Sequence, residues 1–199
     1  DFGEDNSVLL LQELIDLGTV ARGIASLLRY EAETRGIALI VEVQDNPRII
    51  ASESDIGMVL VNLLQNAFHA TPSGGRITVC AGVLPDGDVA ITVADNGSGI
   101  ANADLERVFL PFWSHRADHS EGSGLGLPIC KALVRKWHGN ISLTSREGQG
   151  ATIQIRLPLT LAIIDGFLTS VGGVSYVLPL ELVAECLEVP LECQNHPER

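Results

Sequence analysis

The sequence predicts an α/β fold in which one sheet is covered on one face by helices. Two observations carry that prediction. Segments with the apolar period of a helix alternate with short strand-like segments, in the order helix, strand, helix, strands, helix, strands. A hydrophobic content of 46% and 20 glycines in 199 residues also suit a packed α/β domain rather than a disordered chain.

Each element follows from local pattern. Residues 1–16 read as the end of an upstream linker, with an apolar run from Val8 to Leu11 that is either a strand or the end of an incoming helix. Beginning abruptly at Asp1, the chain reads as a piece of a longer protein. Leu17, Val20, Ala21, Ile24, Leu27 and Leu28 recur at helical spacing, and Gly36 stops that helix. Ile37, Leu39, Val41 and Val43 alternate as in a strand, broken by Asp45-Asn46-Pro47, and Arg48 to Ala51 form a second short strand. Ser52 and Asp55 make a capping-box-like start to a long helix with a stripe through Ile56, Val59, Leu60, Leu63, Leu64 and Ala67. Thr71 to Gly75 ends it. Arg76 to Val83 and Asp88 to Ala94 read as paired strands joined through Pro85-Asp86-Gly87. Asn102 is expected to cap a short helix, Ala103 to Val108. A loop over residues 110–122 precedes a third long helix from about Ser123 to His138, then strands Asn140 to Ser145 and Ala151 to Leu157.

Bulk properties exclude some functions. A net charge of −12 argues against a nucleic-acid surface, which is basic. It leaves room for a bound polyphosphate, because backbone amides and a few local cations can hold one. The four cysteines, Cys80, Cys130, Cys186 and Cys193, lack any Cys-x-x-Cys pair and suit a reducing compartment, so a cytoplasmic location is expected. No apolar run approaches the ~20 residues of a membrane span.

Three stretches carry chemistry. Asn62 and Asn66 lie four apart on one helical face, away from the apolar stripe. Their amides can ligate a hard cation beside phosphate oxygens, as Mg²⁺ prefers; the plainer reading is a solvated amide pair. Asp95 ends a strand directly before Asn-Gly-Ser-Gly, where a carboxylate can accept from an exocyclic amine and glycines allow close approach of a flat base. Asp-Asn-Gly is equally ordinary turn chemistry. Gly122, Gly124 and Gly126 open a helix whose terminal amides favour phosphate. The preceding loop has the length of a lid, with His115, Arg116 and His119 as its cations or as plain solvated residues.

In this order and spacing the pieces resemble the ATP-binding domain of the sensor histidine kinases, part of a superfamily shared with DNA gyrase, the Hsp90 chaperones and the MutL repair proteins. Asn62-Leu-Leu-Gln-Asn66-Ala resembles the N box and Asp95-Asn-Gly-Ser-Gly99 the first glycine box. Phe109-Leu-Pro-Phe112 resembles the F box and Gly122-Ser-Gly-Leu-Gly-Leu127 the second glycine box. His138-Gly139 and Gly148-Gln-Gly150, ending in Leu157-Pro158, match the closing strands. The likeness covers about residues 10–158, with the domain itself expected at 17–158.

The resemblance implies a two-layer α+β sandwich, a mixed sheet with three main helices on one face. It implies that ATP and Mg²⁺ bind, with Asn66 on the metal and Asn62 assisting. Asp95 would hold the adenine amine, Gly97 and Gly99 would line the base, and Arg116 would contact phosphate. Gly122, Gly124, Leu125 and Gly126 would wrap the phosphates. ATP-hydrolysing members of the superfamily carry a Glu as general base where this chain has Asn62, and an amide takes no proton usefully at neutral pH. The resemblance therefore implies a kinase that gives the γ-phosphate to a histidine on a separate dimerisation domain, and indirectly to a response regulator. None of the five histidines here has the acceptor context. Ala151 stands where many members have a Thr near the adenine, and Thr152 alternates away from it.

Residues 159–199 resemble the start of the adaptor-binding regulatory domain of the chemotaxis histidine kinase, through Leu157 to Gly166 and Tyr176 to Leu180. This implies a short β-rich extension, with strands at Leu161 to Ile164 and Val171 to Leu180, and contact with a chemotaxis coupling protein. An alternative function follows, a nucleotide-gated interaction module without phosphotransfer. Chemotaxis kinases usually carry a His where this chain has Asn62, so the chain reads as a hybrid. Cys193 to Arg199 is expected to be disordered.

Overall fold

A computed structural model describes residues 13–45, 47–113, 124–158, 166–171 and 174–179. The expected elements at Val8 to Leu11 and Leu161 to Ile164, and the tail from Cys193, lie outside these residues. Elements run β1 (Glu13–Asp16), α1 (Leu17–Leu27), α2 (Arg29–Arg35), β2 (Ala38–Val43), β3 (Arg48–Ala51), α3 (Glu53–Ala70), β4 (Arg76–Val83) and β5 (Val89–Asp95). A 3₁₀ turn (Asn102–Asp104), α4 (Gly126–Lys136), β6 (Asn140–Arg146) and β7 (Gly150–Leu157) follow, and then β8 (Gly166–Val171) and β9 (Val174–Pro179).

The main sheet has the order β2-β4-β5-β7-β6. β2 runs parallel to β4 and the other pairs are antiparallel, so the sheet is mixed as expected. Strand alternation sends one set of side chains toward the helices: Ile77, Val79 and Ala81 of β4, Ile91 and Val93 of β5, and Ile153, Ile155 and Leu157 of β7 are all buried. α1, α3 and α4 pack side by side against this face. Leu60, Leu63, Leu64 and Phe68 put the stripe of α3 in the centre, each no more than 1% exposed. Burying side chains of this size stabilises the fold by roughly 1.5–3 kcal/mol each. Trp137, just past α4, closes the same core.

The ends of α3 hold it in place. Ser52 Oγ accepts from the Asp55 amide at 3.4 Å, and buried Thr71 donates its hydroxyl to the Ala67 carbonyl at 2.7 Å. Asp55 also pairs with Lys136 at 3.1 Å, tying the start of α3 to the end of α4.

Four local expectations change. The first helix is divided at Leu28 (φ −91°, ψ 2°), although no Gly or Pro stands there, and Gly36 caps the second piece at φ +66°. Asn102 lies within its 3₁₀ turn and not at the cap, because Ala101 occupies that position and no side chain caps the turn. α4 starts at Gly126 and not at Ser123, since Gly124 adopts φ +65°, outside the right-handed helical region. Glu13–Asp16, placed in the linker by sequence, forms β1 and pairs antiparallel with β3, Leu14 opposite Ile50.

Residues 161–199 form a second unit. Within it β8 and β9 make an antiparallel hairpin, Phe167 opposite Leu178. The expected single strand from Val171 to Leu180 is thus divided: Val171 ends β8, and Val174 opens β9 opposite it.

Candidate functional site

Between α3, the end of β5, the start of α4 and β7 lies an open cleft of about 740 Å³. Its inner wall is apolar, from Leu63, Ala67, Val93, Ile100, Val108 and Ile153. Most of its polar wall comes from α3. The apolar stripe locks that helix against the sheet and so turns Asn62, Gln65, Asn66 and His69 toward the cleft, at the i, i+3, i+4, i+7 spacing of one face.

The two asparagines are prepared differently. Asn62 donates its Nδ2 to the Met58 carbonyl at 2.9 Å, which fixes the amide and leaves Oδ1 toward Gly126. A Cβ at Gly126 would come to 3.0 Å from that oxygen, so α4 begins as close to Asn62 as a side chain would allow. The Asn66 amide makes no hydrogen bond among the described residues. Two amide oxygens on one wall, one pre-oriented, fit a hard cation that takes few protein ligands and completes its shell with phosphate and water.

Asp95 lines the opposite side. Its Oδ1 accepts from the Gly97 amide at 2.9 Å and the Ala151 amide at 3.3 Å. These bonds orient the carboxylate and leave Oδ2 with no donor among the described residues. Burial pushes the Asp95 carboxyl above its ordinary value, and the two amides pull part of the way back. A desolvated carboxylate with one open oxygen is suited to a single donor such as an exocyclic amine. Ala151 and Ile153 line the cleft while Thr152 does not, as strand alternation expected.

Gly99 also lines the cleft, at φ +67°, and a Cβ there would overlap the Arg146 carbonyl. Gly97 was expected to line the base, but it lies behind the loop, where a Cβ would overlap the Ala70 carbonyl. Its role is to let β5's loop close onto α3, where the Ser98 amide bonds Ala70 O at 3.0 Å. Gly124 and Gly126 are on the wall. Leu125, by contrast, occupies the cap position of α4 and is not on the wall. Arg116 and Gly122, with His115 and His119, lie outside the described residues.

The aromatic box prepares the mouth. The Phe112 amide donates to the Gly124 carbonyl at 3.0 Å, which joins the first glycine before α4 to the aromatic box beside the cleft. Lys131 Nζ stands 5.1 Å from the Phe109 ring centre, and the Arg107 guanidinium 5.8 Å from that of Trp113.

Among the wall residues to which the sequence assigned no role are Arg35, Gln65, His69 and Trp113. His69 and Gln65 carried a signal, since they share the helical spacing of Asn62 and Asn66. Arg35 and Trp113 reach the site only through tertiary packing. No helix among the described residues is long and apolar enough to cross a membrane.

Residues 51–161 match the family described as histidine kinase-, DNA gyrase B- and HSP90-like ATPase. The sensor histidine kinase ZraS of Escherichia coli (strain K12) is 35% identical over 153 residues, covering 76% of this chain and 32% of that protein. Among solved structures, the catalytic domain of the histidine kinase ThkA in a nucleotide-free form superposes with a TM-score of 0.67 at 27% identity, covering 74% of this chain and 95% of that one. Full-length ShkA in complex with AMPPNP gives a TM-score of 0.67 at 29% identity, over 76% of this chain and 32% of that one. The chain spans only 18% to 37% of the length of the curated relatives it matches. With the family match spanning more than half of the residues and the fold shared with histidine kinase catalytic domains, the chain belongs to the histidine kinase-, DNA gyrase B- and HSP90-like ATPase family.

Proposed function

We propose that this chain is the catalytic domain of a two-component sensor histidine kinase, which binds Mg-ATP in the cleft and passes the γ-phosphate to a histidine on a separate domain or chain. One observation carries the reading. The polar wall that α3 presents is three amides and an imidazole with no carboxylate, and Asp95 is the only carboxylate among the described residues that line the cleft. Its Oδ1 is engaged by two backbone amides at the base end. Among the described residues, water at the phosphates therefore meets no carboxylate base, and the phosphoryl group is kept for a stronger nucleophile.

In this reading Asp95 accepts from the adenine amine, and the apolar wall around Val93 and Ile153 excludes water from the base. Asn66 and Asn62 would hold Mg²⁺, which when bound supplies charge neutralisation on the phosphate oxygens. Gly124 and Gly126 bring the start of α4 against the phosphates. The incoming imidazole nitrogen forms the bond to the γ-phosphorus as the bond to the β,γ-bridging oxygen breaks and ADP leaves. The chain's own contribution is position and electrostatics. A response regulator would then receive the phosphoryl group from that histidine.

Calorimetric titration with a non-hydrolysable ATP analogue and Mg²⁺ tests the pocket. Binding is expected in the parent and weakened in both Asp95→Asn and Asn66→Ala. Mixing the chain with ATP and a purified histidine-bearing dimerisation domain is expected to give acid-labile phosphate on that domain. Rapid steady-state ATP hydrolysis by the chain alone would overturn the reading in favour of an ATPase.

A further inference from the structure

We infer that Arg35, at the end of α2, is a phosphate-binding residue of the nucleotide site, presented by a Glu31 bridge that also holds Gln65. The inference rests on the cleft being a nucleotide site. It comes from outside every motif read in the sequence.

Arg35 is the only lysine or arginine among the described residues that line the cleft. A nucleoside triphosphate brings up to four negative charges into a chain whose own net charge is −12. A cation on the wall is the complement such a ligand requires, and a guanidinium fork matches phosphate oxygens in geometry as well as charge.

The side chain is also held in place. Glu31 Oε1 pairs with Arg35 NH2 at 2.9 Å, one helical turn apart. The second oxygen of Glu31 accepts from Gln65 Nε2, also at 2.9 Å. Gln65 lies on α3 between Asn62 and Asn66 and lines the same cleft. One carboxylate thus ties a cation from α2 and an amide from α3 to a single stretch of wall. The Arg35–Glu31 pair is partly exposed, with side chains 39% and 27% accessible, and such a pair contributes little stability. The guanidinium can therefore exchange carboxylate for phosphate at small cost. Gly36, in the left-handed conformation, ends α2 immediately after Arg35, so the guanidinium issues from the helix's last turn, where the cation also complements the helix dipole.

The test uses the whole chain and two probes, Mg-ATP and adenosine, titrated against the parent, Arg35→Gln and Arg35→Lys. Arg35→Gln is expected to bind ATP about tenfold more weakly, the loss of one charge-assisted contact, with adenosine affinity unchanged. Arg35→Lys, which keeps the charge without the fork, is expected to fall between parent and Arg35→Gln. The salt dependence of ATP binding should flatten in Arg35→Gln. If the parent binds ATP and Arg35→Gln binds it equally well, the inference fails while the nucleotide site stands. Equal weakening toward ATP and adenosine would show a structural effect and also overturn it. A parent that binds neither probe overturns the nucleotide reading and this inference with it.

Discussion

At the scale of single residues, Asp95 combines two demands that conflict. The proposed adenine recognition would use its ionised form, while burial disfavours that form. Its native value lies above the ordinary one, so this group favours the fold at low pH, and that contribution is lost as pH rises through the native value. Asp95→Asn keeps an Oδ1 to accept the Gly97 and Ala151 amides and removes the charge. Nucleotide affinity is therefore expected to fall roughly ten- to hundredfold, the range for losing a charged hydrogen bond. Urea midpoints followed from about pH 3 to 7 are expected to separate progressively with pH, the variant becoming the more stable of the two. Gly99 shows the opposite case, a residue set by backbone alone. Gly99→Ala meets both the positive φ and the Arg146 carbonyl, and is expected to cost about 1–3 kcal/mol. A lower urea midpoint with an unchanged slope would register that loss.

At the scale of elements, α3 organises both core and site. Its N-terminal bond from the Asp55 amide to Ser52 Oγ is long, 3.4 Å. Ser52→Ala should therefore cost about 0.5–1 kcal/mol, the lower part of the capping range. Differential scanning calorimetry is expected to show a fall of a few degrees at most, since ~1 kcal/mol shifts a domain of this size by about 2–4 °C. α3 was also the most legible element. Its stripe, its serine cap and its Thr71 stop are all local signals, and each matches the fold. β1 was illegible because Glu13–Asp16 has no period, and its strand character depends on β3, more than thirty residues away. The start of α4 was misplaced because the left-handed turn at Gly124 is fixed partly by the Phe112 amide across the loop. Asn62, Asn66 and Asp95 could be read from motif spacing. Arg35 could not, because no local pattern says that the end of α2 faces the end of α3.

At the scale of the whole molecule, the chain divides at Thr160 into two compact units. Every described residue that lines the cleft belongs to the first. A chain ended after Thr160 is therefore expected to bind the ATP analogue with unchanged affinity, measured by the same calorimetry; weaker binding would mean that the second unit reaches the nucleotide. The two indoles of this chain sit in different surroundings, Trp137 in the core at 8% exposure and Trp113 on the cleft wall. Their emission therefore divides into two spectroscopic channels. An aqueous quencher such as acrylamide should extinguish the Trp113 component first and spare that of Trp137 until the chain unfolds. Nucleotide in the cleft should shield Trp113 and leave the other channel constant. The protein thus contains an optical sensor of occupancy and, beside it, an internal reference for folding, with no label attached.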